Sequence, residues 1–392
     1  MARSSDTVTY NPEVHKETVK RMEARREEVH ARGRRVYEET GKLDPLVDVM
    51  KAFRVARNSM VKSKDGYVLK NGIALPILSA SDGTGSMADN LKRTFFAMNA
   101  LETLLDPVRA MGYNTQLASA VAQDVQDRHP VAQESQYETD NRREEQIRLL
   151  VPDADGGDPT EDYQFLMAYV MLANQTDLSD FYGLKGYFFL MADQICRERL
   201  TREDFLERTG HTLQSATMTT KVIAQALQEK WHFYYLQVGS GGEGGRRNDI
   251  TRWWEERSMK SRILIVPDPD YLAEAEAALI YVSENLQPKR EDFVKFLVEG
   301  TKSNKRRTAK EAEMVWEWLI ESGIPFGAQA KLRTVLGCEL PKPGDVFEHF
   351  RHAWPKDHPK ASTNAIPTDD AKAPSTTGRK PKPGTIDWAK LK

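Results

Sequence analysis

The chain has 392 residues, of which 40% are hydrophobic and 29% are charged, and its formal net charge is −2 at pH 7. This length predicts one large folded domain with additions, or two domains. The near-zero net charge argues against a general nucleic-acid-binding protein. Its two cysteines are too few for a disulfide framework or an all-cysteine zinc site. No apolar run approaches the roughly 20 residues of a membrane span, and residues 1–16 lack the apolar core of a signal peptide, so we expect a cytoplasmic protein.

Residues 1–69 are predicted to form an N-terminal extension. Within it, residues 12–40 are dense in charges of both signs at three- and four-residue spacing, which is typical of a solvent-exposed helix. The excess of arginine would also suit an acidic partner or nucleic acid. A charged helix lying on the main domain is the simpler interpretation.

Residues 70–287 alternate between predicted strands and predicted helices. Apolar runs predict strands at 72–80, 115–126, 144–151, 185–193, 232–241 and 262–268, and helical spacing predicts helices at 88–105, 161–173, 215–231, 248–258 and 271–286. Pro76 indicates an end or a bulge in the first strand. This alternation predicts an α/β fold with a doubly wound, mostly parallel sheet that is covered on both faces.

The predicted helix at 248–258 carries two further signals. Asn248 is a residue type that commonly caps a helix N-terminus. The adjacent Trp253 and Trp254 cannot both face one core from neighbouring helical positions, so we expect one of them to be exposed or covered by another part of the chain.

The pattern after Pro288 is wholly helical to about residue 334, and we assign residues 288–352 to a helical accessory region. Residues 353–392 are rich in Pro, Lys, Ala, Ser and Thr, a composition typical of a disordered tail. Trp388 near its end indicates either a docking peptide or, more simply, a tail.

Oxygen-bearing side chains follow the predicted strands where ligands bind in open α/β sheets, outside the carboxyl ends. Asp82, Thr84 and Ser86 alternate with glycines directly after the first strand, and Asp193 ends the strand at 185–193. Without a histidine or thiol among them, such oxygen atoms favour Mg²⁺, or Mn²⁺ or Ca²⁺, over zinc or copper. A divalent cation is therefore the predicted ligand.

The stretch Asp-Gly-Thr-Gly-Ser-Met at residues 82–87 resembles the Asp-x-Ser/Thr-x-Ser signature of von Willebrand factor A-type domains, over about residues 70–285. The resemblance implies a Rossmann-like, doubly wound sheet whose signature forms a metal-ion-dependent adhesion site. It also implies that Thr84 and Ser86 contact the cation directly and that Asp82 acts through water.

Two positions depart from that family's pattern. A threonine normally follows a Gly-Gly pair in the second loop, whereas residues 156–157 are followed by Asp158, with Thr160 two residues further on. Either residue could take the ligand's place. The third position of the family is an aspartate that ends a strand, and Asp193 matches it although its two neighbours do not.

Other interpretations of the same stretch are open. The side chains of residues 82–86 could simply cap the following helix. Residues 83–88 match the dinucleotide fingerprint G-x-G-x-x-G/A, but Asp82 and Asp89 would repel a pyrophosphate. An aspartate-nucleophile phosphatase would need its nucleophile at position 80, which is Ala80.

These observations favour a non-enzymatic, metal-dependent protein–protein interaction module. The resemblance implies that its cation would bridge the edge of the sheet to an acidic residue of a partner protein. For intracellular bacterial proteins, the resemblance implies an adaptor or assembly factor for an AAA+ ATPase. The alternatives are a structural component of a phage or cellular assembly with a vestigial metal site, and a nucleotide-binding enzyme. We expect no membrane partner and no nucleic acid.

Overall fold

The computed structural model describes residues 9–347, apart from Ala52 and residues 154–159, 240–243 and 303–305. The predicted tail at 353–392 lies outside the described residues. None of the helices in the described part of the chain combines the length and the apolarity that a membrane crossing requires.

The charged N-terminal region forms two helices where the sequence predicted one helix over residues 12–40. They are α1 (Pro12–Arg25) and α2 (Ala31–Thr40), followed by strands β1 (Arg54–Ala56), β2 (Met60–Ser63) and β3 (Gly66–Leu69). The side chain of Asn11 caps α1, and Arg26, with a φ of 52°, ends it. Met22 is buried in one apolar cluster with Phe95, so α1 lies on the main domain.

The central element is a mixed six-stranded sheet. The strands of this region, in chain order, are β4 (Ile73–Asp82), β5 (Tyr113–Ala122), β6 (Ala132–Glu134), β7 (Thr160–Glu161), β8 (Asn174–Thr176), β9 (Gly186–Ala192), β10 (Ile195–Cys196), β11 (Arg199–Thr201), β12 (Thr217–Thr219), β13 (Trp231–Val238) and β14 (Ile263–Val266). The sheet has the order β14-β13-β9-β4-β5-β6, in which neighbours pair in parallel except for β6, which is antiparallel to β5. The fold is therefore α/β, with a mixed sheet.

Apolar clusters cover both faces of this sheet. The helices of the region are α3 (Ala88–Phe96), α4 (Met98–Leu104), α5 (Asp106–Ala110), α6 (Arg142–Ile147), α7 (Tyr163–Ala173), α8 (Asp177–Tyr182), α9 (Arg202–Thr209), α10 (Thr220–Lys230), α11 (Gly244–Trp254) and α12 (Leu272–Glu284). Side chains of α4 and α12 share the cluster on one face, and side chains of α7 and α10 share the cluster on the other.

Strand β4 is buried along its whole length and leads to the edge where the predicted ligands lie. Its side chains alternate between the faces, so that Ile77 joins one apolar cluster and Leu78 the other. Pro76 neither ends the strand nor forms a bulge. It stays in register with Gln116 of β5, and the pairing with β9 begins one residue later, at Ile77, so the missing amide proton does not interrupt that ladder.

Three element predictions were wrong in detail. Residues 144–151 were predicted as a strand, but they contain the end of α6 and an irregular segment whose apolar side chains are buried without strand pairing. The predicted helix at 88–105 is broken at Ala97 into α3 and α4. Helix α11 begins at Gly244, so Asn248 lies inside the helix and does not cap it.

The region after Pro288 is helical, as the sequence predicted. It contains α13 (Arg290–Gly300), α14 (Ala309–Glu321) and α15 (Ala328–Leu336), and a short strand β15 (Val346–Phe347) that pairs with β3. Phe293 and Leu319 are buried in the same cluster as residues of α4 and α12. Side chains of α13 and α14 therefore belong to the apolar core on one face of the sheet.

Candidate functional site

The turn after β4 holds the Asp82 carboxylate in a fixed position. Oδ1 of Asp82 accepts hydrogen bonds from the Thr84 amide at 2.8 Å and the Thr84 hydroxyl at 2.6 Å, and Oδ2 accepts one from the Tyr163 hydroxyl at 2.6 Å. Asp82 is fully buried. Gly83 is required by the close approach of β5, since a Cβ at this position would lie 2.5 Å from a methyl group of Val121.

Asp82 and Thr84 do not cap the following helix. Thr84 precedes a 3₁₀ turn at Gly85–Met87, and Met87 precedes α3, yet neither residue makes a side-chain capping hydrogen bond. Instead, the Asp82 carboxylate binds the amide two residues further on, which is an Asx-turn. The capping interpretation therefore does not account for these two side chains. The side chain of Ser86 lies outside the described part, so its predicted role stays a prediction.

Glu161 is a member of the site that the sequence reasoning missed. The two residues of β7 pair in parallel with β10, so that Glu161 stands opposite Cys196. Its Oε1 lies 3.3 Å from the Thr84 hydroxyl, and its Oε2 is buried without a hydrogen-bond partner in the described structure. The available signal was an acidic residue directly before an apolar helix, but the sequence analysis had placed this residue inside that helix.

Burial and like charge raise the pKa values of both carboxyl groups. Burial, opposed by the hydrogen bonds of Thr84 and Tyr163 and reinforced by the charge of Asp193, raises the pKa of Asp82 to about 7. Burial, reinforced by Asp82 and the aspartates of the neighbouring loop, raises the pKa of Glu161 to about 9. Among the described residues, no lysine or arginine nitrogen lies within 4 Å of either carboxylate.

The single proton of the Thr84 hydroxyl cannot serve both carboxylates. The distance to Asp82 is 2.6 Å and the distance to Glu161 is 3.3 Å, so the proton belongs to the bond with Asp82. Glu161 is then left without a hydrogen-bond donor among the described residues. When both groups are ionised, the two carboxylates concentrate negative charge that a proton or a cation can neutralise.

Two aspartates beside this pair are neutralised by a side chain of the protein. Arg197 lies 2.7 Å from Asp124 and 3.1 Å from Asp162, and Asp162 also accepts a hydrogen bond from the Val125 amide. These charge-assisted contacts hold the loops around the site together. We therefore do not count Asp124 or Asp162 among the candidate ligands.

The structure brings the main predicted residues to one edge of the sheet. Asp82 ends β4 and Asp193 follows β9, and these strands are parallel neighbours, with Ser81 opposite Met191. The charge of Asp193 acts on Asp82, as noted above. Thr160 stands opposite Ile195, immediately after this turn, whereas the predicted ligand Asp158 lies outside the described residues.

The protein ligands alone do not form a complete metal cage. In the part of the chain that the structure describes, no three His, Cys, Asp or Glu side chains are grouped so that they could hold a metal ion. A cation at this edge would therefore need hydroxyl and water ligands in addition to carboxylates, a combination that Mg²⁺ accepts readily.

Comparisons with known proteins do not assign the chain to a family. No family model matches it, and no curated protein matches it. Among solved structures, two crystal forms of the pilus adhesin SpaC from Lactobacillus rhamnosus GG are similar, with TM-scores of 0.34 and 0.33 and sequence identities of 12% and 11%. The matches cover 56% and 57% of this chain and 33% of each adhesin chain.

The resemblance to von Willebrand factor A-type domains is wrong as a family assignment. No family model matches the chain, and the sheet carries an antiparallel edge strand, so it is not uniformly parallel. The physical reason is that the resemblance depended on a six-residue stretch. Asp, Gly, Thr and Ser recur in turns for local reasons, whatever the family. The AAA+ ATPase partner depended on this resemblance alone and is not carried forward.

Proposed function

We propose that the carboxyl edge of the sheet binds a divalent cation and that the protein is a non-enzymatic, metal-dependent interaction module. The observation that carries this proposal is the pair of buried carboxylates at Asp82 and Glu161, in which Oε2 of Glu161 has no partner in the described structure. An unpaired buried carboxylate costs several kcal/mol unless a proton or a cation compensates it, so the arrangement favours a cationic ligand.

The donor set suits a hard cation such as Mg²⁺, with Mn²⁺ or Ca²⁺ as substitutes. The Thr84 hydroxyl, Glu161 and Asp193 are the candidate direct ligands. Both oxygens of Asp82 already accept hydrogen bonds, so Asp82 would act through water. When bound, the cation would supply an open coordination position for an acidic group of a partner protein.

A binding role fits this edge better than nucleophilic catalysis does. The nearest thiol, Cys196, is buried, and burial raises its pKa far above the usual range, so it would not form the reactive thiolate. Its Sγ is held 2.8 Å from the Gln164 side chain. We also propose that the sheet is doubly wound, as the sequence predicts. In this arrangement the parallel strands β4 and β9 end at the same edge of the sheet.

Cation-dependent stability tests the metal site. Melting curves of the wild type are measured with Mg²⁺, Mn²⁺, Ca²⁺ or EDTA, and we expect one of the cations to raise the Tm. A ligand at a hundredfold excess over its Kd stabilises the native state by about 2.7 kcal/mol. Glu161→Gln should lose most of this increase. The control is Asp89→Asn, which removes an exposed carboxylate on α3 that lies 3.9 Å from Lys92. A wild type that melts identically in EDTA and in every cation would refute the site.

The interaction role is tested on a partner recovered with the intact chain. Binding should be lost in EDTA, be restored by the cation that raises the Tm, and be weakened by Glu161→Gln but not by Asp89→Asn. A complex that resists both EDTA and Glu161→Gln would instead favour a structural component with a vestigial metal site.

A further inference from the structure

The turn that carries Asp193 is anchored through the next residue along the chain. The carbonyl oxygen of Gln194 accepts a hydrogen bond from the indole N–H of Trp254 at 3.2 Å and another from the Tyr235 hydroxyl at 2.8 Å. Trp254 is the last residue of α11, and Tyr235 lies in β13. A helix and a strand that are distant in sequence therefore fix the chain directly after Asp193.

The same indole also supports the residue that holds Asp82. The rings of Trp254 and Tyr163 are stacked, with centroids 6.5 Å apart and an interplanar angle of 19°. The Tyr163 hydroxyl donates the hydrogen bond to Oδ2 of Asp82. Trp254 thus contacts one anchor of each strand end that contributes to the candidate cation site.

These aromatic side chains are well placed to hold a fixed geometry. Trp254, Tyr235 and Tyr163 are all fully buried, and the rings of Trp254 and Tyr235 stack with centroids 4.7 Å apart. Large buried rings whose polar groups are hydrogen-bonded have few accessible rotamers. A site whose ligands are held in this way loses less conformational freedom when it binds a cation.

We propose that Trp254 is the positioning residue of the candidate cation site, holding the Asp193 turn and the Asp82 carboxylate in one arrangement. This inference rests on the proposed function for its effect on cation binding. Its structural part, the anchoring of both turns by one indole, can be measured without any cation.

The test compares Trp254→Phe with Trp253→Phe. Phenylalanine at position 254 keeps an aromatic ring but removes the donor to Gln194. The neighbouring Trp253 is a matched control, because its ring lies under the Arg257 guanidinium, 3.8 Å away, and it donates no hydrogen bond to Gln194. Loss of one buried hydrogen bond should weaken Mn²⁺ binding by about tenfold in Trp254→Phe. Trp253→Phe should stay within about twofold of the wild type.

Amide hydrogen exchange in EDTA provides the second readout. Trp254→Phe should speed exchange in residues 82–84 and 192–196 while leaving the rest of the sheet unchanged, and Trp253→Phe should do neither. If the wild type binds no cation but this local effect is present, the proposed function fails and the anchoring role stands. If exchange is unchanged, or rises equally throughout the sheet, Trp254 is not a positioning residue.

Discussion

Two of the regions that contain buried carboxylates differ in whether an arginine compensates the negative charge. Where the C-terminal helices pack on α12, two buried carboxylates of this helix are paired with arginines: Glu274 lies 2.6 Å from Arg307, and Glu284 is paired with Arg333. At the carboxyl edge of the sheet, Asp82 and Glu161 face each other across Thr84. In the described structure no cationic side chain is within 4 Å of either one.

The difference distinguishes a structural role from a binding role. A buried ion pair is costly to desolvate, but it is complete within the chain, and it joins α12 to the helices that follow. The pair at the edge of the sheet is incomplete, because the described part of the chain supplies the acids and hydroxyls without a cationic side chain within 4 Å. Removing the arginine of a buried ion pair should therefore lower the stability of the protein. Removing one acid of the incomplete pair should raise it when no cation is bound.

The largest effect is expected from Arg307→Met. This change leaves the Glu274 carboxylate buried without its partner and removes the guanidinium from the face of Tyr271, where it lies 3.7 Å from the ring centroid. We expect the free energy of unfolding to fall by about 3–5 kcal/mol, measured by urea denaturation. The double variant Arg307→Met/Glu274→Met should recover much of the loss. A single variant as stable as the wild type would contradict a structural role for the pair.

Another buried carboxylate of α12, Glu276, extends the comparison to the pH dependence of stability. Its Oε2 accepts a hydrogen bond from Ser79 at 2.9 Å, and its Oε1 has no partner in the described structure. Burial, opposed by Ser79 and the charge of Arg143, raises the pKa of Glu276 from 4.5 to about 7. The native state therefore keeps a proton that the unfolded chain releases above pH 4.5, and its stabilising contribution is lost as the pH rises through 7.

The expected change in the free energy of unfolding follows from the shift in the pKa of Glu276. Between pH 4.5 and 7.5, this group should lower the free energy of unfolding by roughly 2–3 kcal/mol, and Glu276→Gln should remove that part of the pH dependence. Urea unfolding at several pH values measures it. Glu313→Gln serves as the control variant, because it removes an exposed carboxylate of α14 in place of a buried one. If the wild type and Glu276→Gln showed the same pH dependence of stability, folding would not raise the pKa of the Glu276 carboxyl group.

The incomplete pair should respond in the opposite direction from the Arg307 pair. In EDTA near pH 7, Glu161→Gln removes a buried acid that must be protonated on folding, so we expect the free energy of unfolding to rise by roughly 1–2 kcal/mol. With the cation present, the same variant should be less stable than the wild type. A loss of stability in EDTA would mean that Glu161 already has a structural partner.

The smallest effect is expected from a local interaction in the helical region. The Thr308 side chain accepts a hydrogen bond from the Glu311 amide, and the Glu311 side chain accepts one from the Thr308 amide, so the two form a capping box at the start of α14. Thr308→Ala should cost about 1 kcal/mol in a thermal or urea melt and leave the cation response unchanged. An altered cation response would show that the two regions are energetically coupled.

The sequence by itself determined the elements whose signals are local. Continuous apolar runs identified β4, β9, β13 and β14, and helical spacing identified α7, α10 and α12. The placement of Asp82 and Asp193 at strand ends followed from these runs, because an α/β sheet collects such ends at one edge. Each of these predictions depends on residues only a few positions apart.

Only the tertiary structure decided which of these ends meet and what surrounds them. Glu161 approaches Thr84 because β7 pairs with β10, a contact between segments more than 30 residues apart. The run at 144–151 is buried by packing without strand pairing, and a periodicity rule cannot distinguish these two ways of burying apolar residues. The position of Trp254 between the two turns depends equally on long-range packing. A six-residue motif carries no information about such contacts, and the family assignment that depended on it was therefore wrong.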